Sequence, residues 1–170
     1  MSGNKTLRGN IEIFFAYPEA FAVATAPTST ELENTDFVKV ISCAINDDFT
    51  LNLKASDTDK SISVCDIATV ETPTFTNYEA ALNIFRDADI TATGVFNLAF
   101  SLFKNAGIRG WLGVRIGLAQ GTAFTAGDII SMFDVKTDNP TDIEGASSPM
   151  QLGAKFKPQG TALVEYELVA

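Results

Sequence analysis

One stretch of the chain, VFNLAFSLFKNAG (95–107), carries a clear helical repeat, and almost every other patterned stretch alternates with a period of two. Phe96, Ala99, Phe100 and Phe103 stand at i, i+3, i+4 and i+7, and Leu98 and Leu102 widen the apolar stripe. Lys104 suits the negative end of a helix dipole and Gly107 reads as the stop, so a helix is expected over about residues 95–105. A lone amphipathic helix so rich in Phe has to lie on a sheet face or at a subunit boundary. The fold class follows: mainly β, an antiparallel β-sandwich or barrel with one flanking helix.

Strand signals run along the rest. IEIFF (11–15) opens the series, and Pro18 interrupts the segment after it. PTSTELEN (27–34) suits one helical turn capped by Thr28 or Ser29, with Glu31 and Glu33 near its N-terminal end. In DFVKVISCAI (36–45), Phe37, Ile41, Cys43 and Ile45 share one parity. FTLNLKA (49–55) sets Phe49, Leu51, Leu53 and Ala55 against Thr50, Asn52 and Lys54. Ser56, Asp57, Thr58, Asp59 and Lys60 then read as a turn that returns through SISVC (61–65).

TNYEAALNIFRD (76–87) fits helical spacing through Tyr78, Ala81, Leu82 and Phe85, and strand spacing through Tyr78, Ala80, Leu82 and Ile84. It is read as a strand. In WLGVRIG (111–117), Leu112, Val114 and Ile116 oppose Trp111, Gly113, Arg115 and Gly117. Ala126-Gly127-Asp128 signals a turn before IISMFDV (129–135), and residues 136–149 form a long polar loop. MQLGAKF (150–156) and ALVEYELV (162–169) read as two strands separated by a turn at Lys157-Pro158-Gln159-Gly160. In the second, Ala162, Val164, Tyr166 and Leu168 oppose Thr161, Leu163, Glu165 and Glu167. No internal repeat divides the chain, so residues 1–170 are expected to be one domain with a polar N-terminal arm, 1–10.

Reactive chemistry has little to work with. The chain has no His, which removes the commonest general base together with Ser-His-Asp, Cys-His and His-zinc sites. Cys43 and Cys65 form no CxxC and read as buried free thiols. Asp57-Thr58-Asp59 and the trio Asp138, Asp142 and Glu144 have calcium-ligand chemistry, but they lack the twelve-residue loop spacing and read as solvated turns. Gly107, Gly110, Gly113 and Gly117 spell no phosphate-binding motif, and strand glycines more often permit close backbone packing. No enzyme, cofactor or metal is expected. No apolar run is long enough for a membrane-spanning helix, and Met1 to Thr6 lack a secretory pattern. The net charge of −9 opposes binding to phosphate backbones.

The order TPTFTNYEAALNIFRD, FNLAFSLFKNAGIRG, WLGVRIG, AGDIISMFDVKTDNP and a strand ending almost at the last residue resembles the major tail (tail tube) proteins of long-tailed bacteriophages. The likeness runs from about residue 36 onward. It implies a structural virion protein, made in the host cytoplasm, whose six-membered rings stack into the tube that conducts DNA. Its partners would be further copies of itself, tape-measure proteins and tail-tip or terminator proteins, and DNA would pass without specific binding. Residues 1–10, 56–60 and 136–149 would become ordered against neighbours.

Two sets of site residues are expected on this reading. Glu79, Glu165 and Glu167 are candidates for an acidic channel wall. The hairpin at Ser56, Asp57, Thr58, Asp59 and Lys60 is a candidate inter-subunit contact, because its alternation leaves one face with little to bury. The alternatives are a small-ligand or carbohydrate-binding β-sandwich module, or another virion part such as a capsid decoration or head–tail connector protein. A carbohydrate module would be a monomer with clustered exposed aromatics, whereas Trp111 is the only Trp.

Overall fold

The computed structural model describes residues 8–56, 58–59, 72–73, 77–143 and 151–170. Its strands are β1 (Ile11–Ala16), β2 (Val38–Val40), β3 (Thr50–Lys54), β4 (Thr58–Asp59), β5 (Thr72–Pro73), β6 (Asn77–Phe85), β7 (Arg109–Ile116), β8 (Ile129–Thr137), β9 (Thr141–Ile143) and β10 (Gln151–Glu167). The helices are α1 (Ser29–Leu32) and α2 (Val95–Phe103). Eight strands make one sheet in the order β2-β1-β7-β8-β10-β6-β3, with β9 beside β10, while β4 and β5 pair separately. Every ladder is antiparallel.

The sheet is drawn round on itself. β10 pairs with β6 and β9 through its first residues and with β8 through the rest, so it belongs to both halves. On the other side the Ile41 amide donates to the Ile13 carbonyl, Ile45 bridges Ile84, and the Asn46 amide donates to the Asn83 carbonyl. Segment 41–46 thereby carries β1 across to β6. Inside lie Phe15, Leu112, Phe133 and Val135 from one half, Leu82, Ile84 and Leu152 from the other, and Phe103 of α2. A second apolar layer covers the outer face of β1, β7 and β8 with Phe21, Leu32, Phe124 and Leu168. Both faces of β7 are therefore buried from Gly110 to Arg115, and its glycines become tight contacts.

A Cβ on Gly113 would stand 2.1 Å from Cζ of Phe14, its cross-strand partner, and one on Gly110 would stand 2.7 Å from the Ala16 carbonyl oxygen. Phe14 is fully buried and has no room to retreat. Gly113→Ala is expected to cost about 1–3 kcal/mol through overpacking. Chemical denaturation measures it, and a loss below half a kcal/mol would contradict the packing at this pair.

Several sequence expectations hold. Residues 77–85 are a strand, with Tyr78, Ala80, Leu82 and Ile84 on its buried face. Thr28 caps α1 in a capping box: its hydroxyl accepts from the Glu31 amide, and the Glu31 carboxylate accepts from the Thr28 amide. Burial pulls the Glu31 carboxyl upward, but hydrogen bonds from Ala22 and Thr28 outweigh it and hold the group below its usual range.

Other expectations are corrected. α2 ends at Phe103 with Lys104 as its cap, because Gly107, at φ 99, turns the chain into β7 instead of closing the helix. The shared parity of Phe37, Ile41, Cys43 and Ile45 breaks where Ser42–Ala44 winds into a 3-10 turn, held by the Ser42 hydroxyl on Ile13. Cys43 is consequently exposed rather than buried, and Cys65 lies outside the described residues. β3 alternates, yet Leu53 stays 51% exposed because the strand is an edge. Arg8–Asn10 of the expected arm forms a 3-10 turn, and residues 136–137 and 141–143 of the expected loop belong to β8 and β9.

The supposed turn at Lys157–Gly160 is no turn. β10 runs through it as a bulge, with Pro158 opposite Val135 and Ala162 opposite Phe133. Gly160 takes φ 98, and the Gln159 amide donates to the Tyr78 hydroxyl at 2.9 Å. A second irregularity falls at Glu165, at φ 51, between Leu163 opposite Met132 and Tyr166 opposite Ile130. This extra residue shifts the alternation. Ala162 packs on the inner core, Leu163 and Tyr166 on the outer layer, and Val164 is exposed, so the expected face of Ala162, Val164, Tyr166 and Leu168 does not exist.

Candidate functional site

Among the described residues no group of three His, Cys, Asp or Glu side chains is placed to hold a metal ion. A cavity of about 300 Å³ beside β1 is lined by Ile11, Ile13, Ser42, Ile45, Asn46, Asp47, Phe49 and Gln120. Its Ser42 hydroxyl accepts from the Ile13 amide at 2.7 Å, and its Asn46 amide group donates to Gln151 at 3.4 Å. The Gln120 side-chain amide donates to the Ile11 carbonyl at 3.0 Å, so these polar groups serve the fold. The features with functional potential are a buried ionic group, the free sheet edges and a row of cations.

The ionic group lies beneath the loop between β7 and β8. Glu12 and Arg115 are cross-strand partners and are almost completely buried. The Arg115 guanidinium donates to the Glu12 carboxylate, to the Asp128 carboxylate at 2.9 Å, and to the Thr122 and Ala123 carbonyls. The Phe124 ring stacks on it with its centroid 4.3 Å from Cζ. The other Glu12 oxygen accepts from the Gly121 amide, and Glu33 accepts from the Phe124 amide. The strand register thus ties down a loop that has little apolar anchorage besides Phe124. Arg115 shares a face with Trp111 and Gly113 in the sequence, but its partners come from β1 and from the loop between β7 and β8. Its position within the apolar run WLGVRIG was the available signal.

The edges are β2, β3 and β9. Each pairs on one side only among the described residues, and Val40 and Leu53 are exposed on two of them. Unpaired edges of this kind present free N–H and C=O groups for another strand.

The cations form a row by register. Arg109 stands opposite Lys136, and Lys136 stands opposite Lys157, across β7, β8 and β10. Like charges directly opposed destabilise a sheet by roughly 0.2–1 kcal/mol per pair. Two members of the row are compensated from nearby: Arg109 grips Asp134 with contacts of 2.8 and 3.2 Å, and Lys157 pairs with Asp138 at 3.0 Å. The Lys157 ammonium, with the Asn139 amide, holds the Asp138 carboxyl below its usual range. Lys136 is exposed and has no carboxylate partner among the described residues. Lys155, on the same face as Lys157, is exposed as well.

The expected channel carboxylates are not gathered in one place. Glu79 points outward from β6 and is paired with Lys54 of β3. Glu165 and Glu167 are exposed at the far end of β10, where Glu167 stands opposite Ile129. In the expected hairpin, Ser56 is half-buried, and Thr58–Asp59 pairs with Thr72–Pro73. SISVC (61–65), the expected return strand, lies outside the described residues. Asp57, Lys60 and Glu144 lie outside the described residues.

Comparison with protein families matches residues 2–170 to the model described as phage tail tube protein. No curated protein matches the chain.

Proposed function

This chain belongs to the phage tail tube protein family and is a structural component of the virion tail, and from that premise we propose that its copies join into rings that stack as the conduit for the genome. The observation that carries the reading is the pair of edges, β3 and β9, bounding the run β3-β6-β10-β9. An edge strand of one copy laid against the opposite edge of the next makes a head-to-tail contact, which closes as a ring when the rotation permits. Six copies to a ring is what likeness to the family suggests. The separate β4–β5 ribbon, which includes Thr58 and Asp59, would reach a neighbouring subunit or ring.

The net charge of −9 supports a conduit that phosphate backbones traverse without sticking. Tape-measure, tail-tip and terminator proteins are the further partners on this reading. Size-exclusion chromatography with negative-stain microscopy tests it: six-membered rings or hollow tubes are expected as concentration rises. A chain that stays monomeric at high concentration, with tail-tip and tape-measure partners also present, would overturn it.

A further inference from the structure

We propose that the cations on the outer face of β3, β10, β8 and β7 form a docking belt for a second copy of this chain, and that this copy meets the belt with its Glu165–Glu167 end. The proposal rests on the self-assembly reading above and names a contact surface for it.

Register places the belt on one face. Lys155 stands opposite Ala81, which shares the outward face of β6 with Glu79, while Phe156 between Lys155 and Lys157 points into the core. The belt therefore runs from Lys54 through Lys155, Lys157 and Lys136 to Arg109. These are five of the chain's twelve Lys and Arg residues. Glu79, Asp138 and Asp134 face them as ion-pair partners. Five cations against three carboxylates leave the belt at +2, and with the whole chain at −9 the remainder carries −11.

A second copy is thus a strongly anionic object carrying this cationic strip, and strip to remainder is the complementary way for two copies to meet. The contact joins unlike surfaces, so it propagates instead of stopping at a dimer. Lys136 needs such a partner most, flanked in register by Arg109 and Lys157.

The anionic partner surface lies at the other end of the same ladder. Lys136 is near the end of β8, and Ile129, opposite Glu167, is its first residue. Seven residues at about 3.3 Å each separate the two charges by roughly 23 Å. Cations mark one end of the β8–β10 ladder and carboxylates the other. Glu165 occupies φ 51, a region that favours glycine, with its amide held by the Ser131 hydroxyl at 3.1 Å. A bulge at this point turns an exposed carboxylate away from the regular alternation.

The test uses the full chain and measures the concentration at which it associates, by sedimentation and microscopy, between 50 and 500 mM NaCl, concentrations chosen to span strong and weak screening. Wild type is expected to associate less readily as salt rises. Lys136→Glu with Lys157→Glu should raise the associating concentration at least tenfold, with circular dichroism and thermal midpoint confirming a folded chain. Adding Glu165→Lys and Glu167→Lys to that variant should restore association. Wild-type association with no effect of the lysine changes, or no restoration by the glutamate changes, would overturn the docking surface while leaving the tube intact. A wild type that never associates would overturn the tube and this contact together. Belt-dependent retardation of duplex DNA, with assembly unaffected by the lysine changes, would make the partner a nucleic acid and overturn the proposal.

Discussion

Arg115→Met is expected to lower the stability of the fold by about 3–5 kcal/mol, the usual result of breaking a buried ion pair by removing one partner. The change leaves the Glu12 carboxylate beneath the loop with its charge uncompensated and, among the described residues, the Gly121 amide to meet it. It also releases the Asp128 carboxylate and the carbonyls of Thr122 and Ala123. Urea unfolding followed by fluorescence measures the loss. A fall in the midpoint with an unchanged slope is expected, and a loss under 1 kcal/mol would mean that water reaches the group. Combining Arg115→Met with Glu12→Leu should recover much of the loss, because removing both charges is far less damaging than removing one.

The same group makes the fold sensitive to acid. Burial pulls the Asp128 carboxyl upward, but the Thr125 amide and the Arg115 guanidinium outweigh it, so the folded protein holds this group below its usual range. A carboxyl depressed in the folded state contributes stability that is fully present above its unfolded value, about 3.9, and is lost as pH falls through the lower folded value. Asp128→Asn should reduce the acid dependence of unfolding below pH 4. A profile identical to wild type would separate Asp128 from it.

Phe103→Ala is expected to cost about 3–5 kcal/mol, as for other fully buried aromatic side chains. The ring is 1% exposed and meets Phe15 and Phe156 edge-on at 5.3 Å each. It is the point where α2 enters the inner core between both halves of the sheet. Phe100→Ala should cost less than half as much, since Phe100 is half-buried and lies under the Arg86 guanidinium, 4.5 Å from its ring centroid. Parallel denaturation of the two variants decides it. Equal losses would contradict the orientation of the helix.

That orientation separates what spacing states from what packing decides. The stripe of Phe96, Ala99, Phe100 and Phe103 identified a helix, because apolar side chains three and four residues apart share one side of it. Which part of the stripe sinks deepest depends on where β6 and the 42–44 turn meet it, and that meeting buries Ala99, Leu102 and Phe103. The strand at 77–85 was legible for the matching reason: every second residue from Tyr78 to Ile84 is apolar, and the sheet has one wet side there.

What the sequence alone determined is local: the mainly β class, the single long helix, a cap at Thr28 or Ser29, the absence of imidazole chemistry and the tail tube likeness. Only the tertiary structure decided the bulges in β10, because the alternation of Ala162, Val164, Tyr166 and Leu168 is equally regular on paper whether or not Glu165 inserts an extra residue. It alone set Glu12 opposite Arg115, and Arg109, Lys136 and Lys157 side by side. The physical reason is register. Helical and strand periods are written in neighbouring residues, whereas cross-strand partners are chosen by how a whole sheet buries its two faces, and a shift of one residue exchanges every partner and every face.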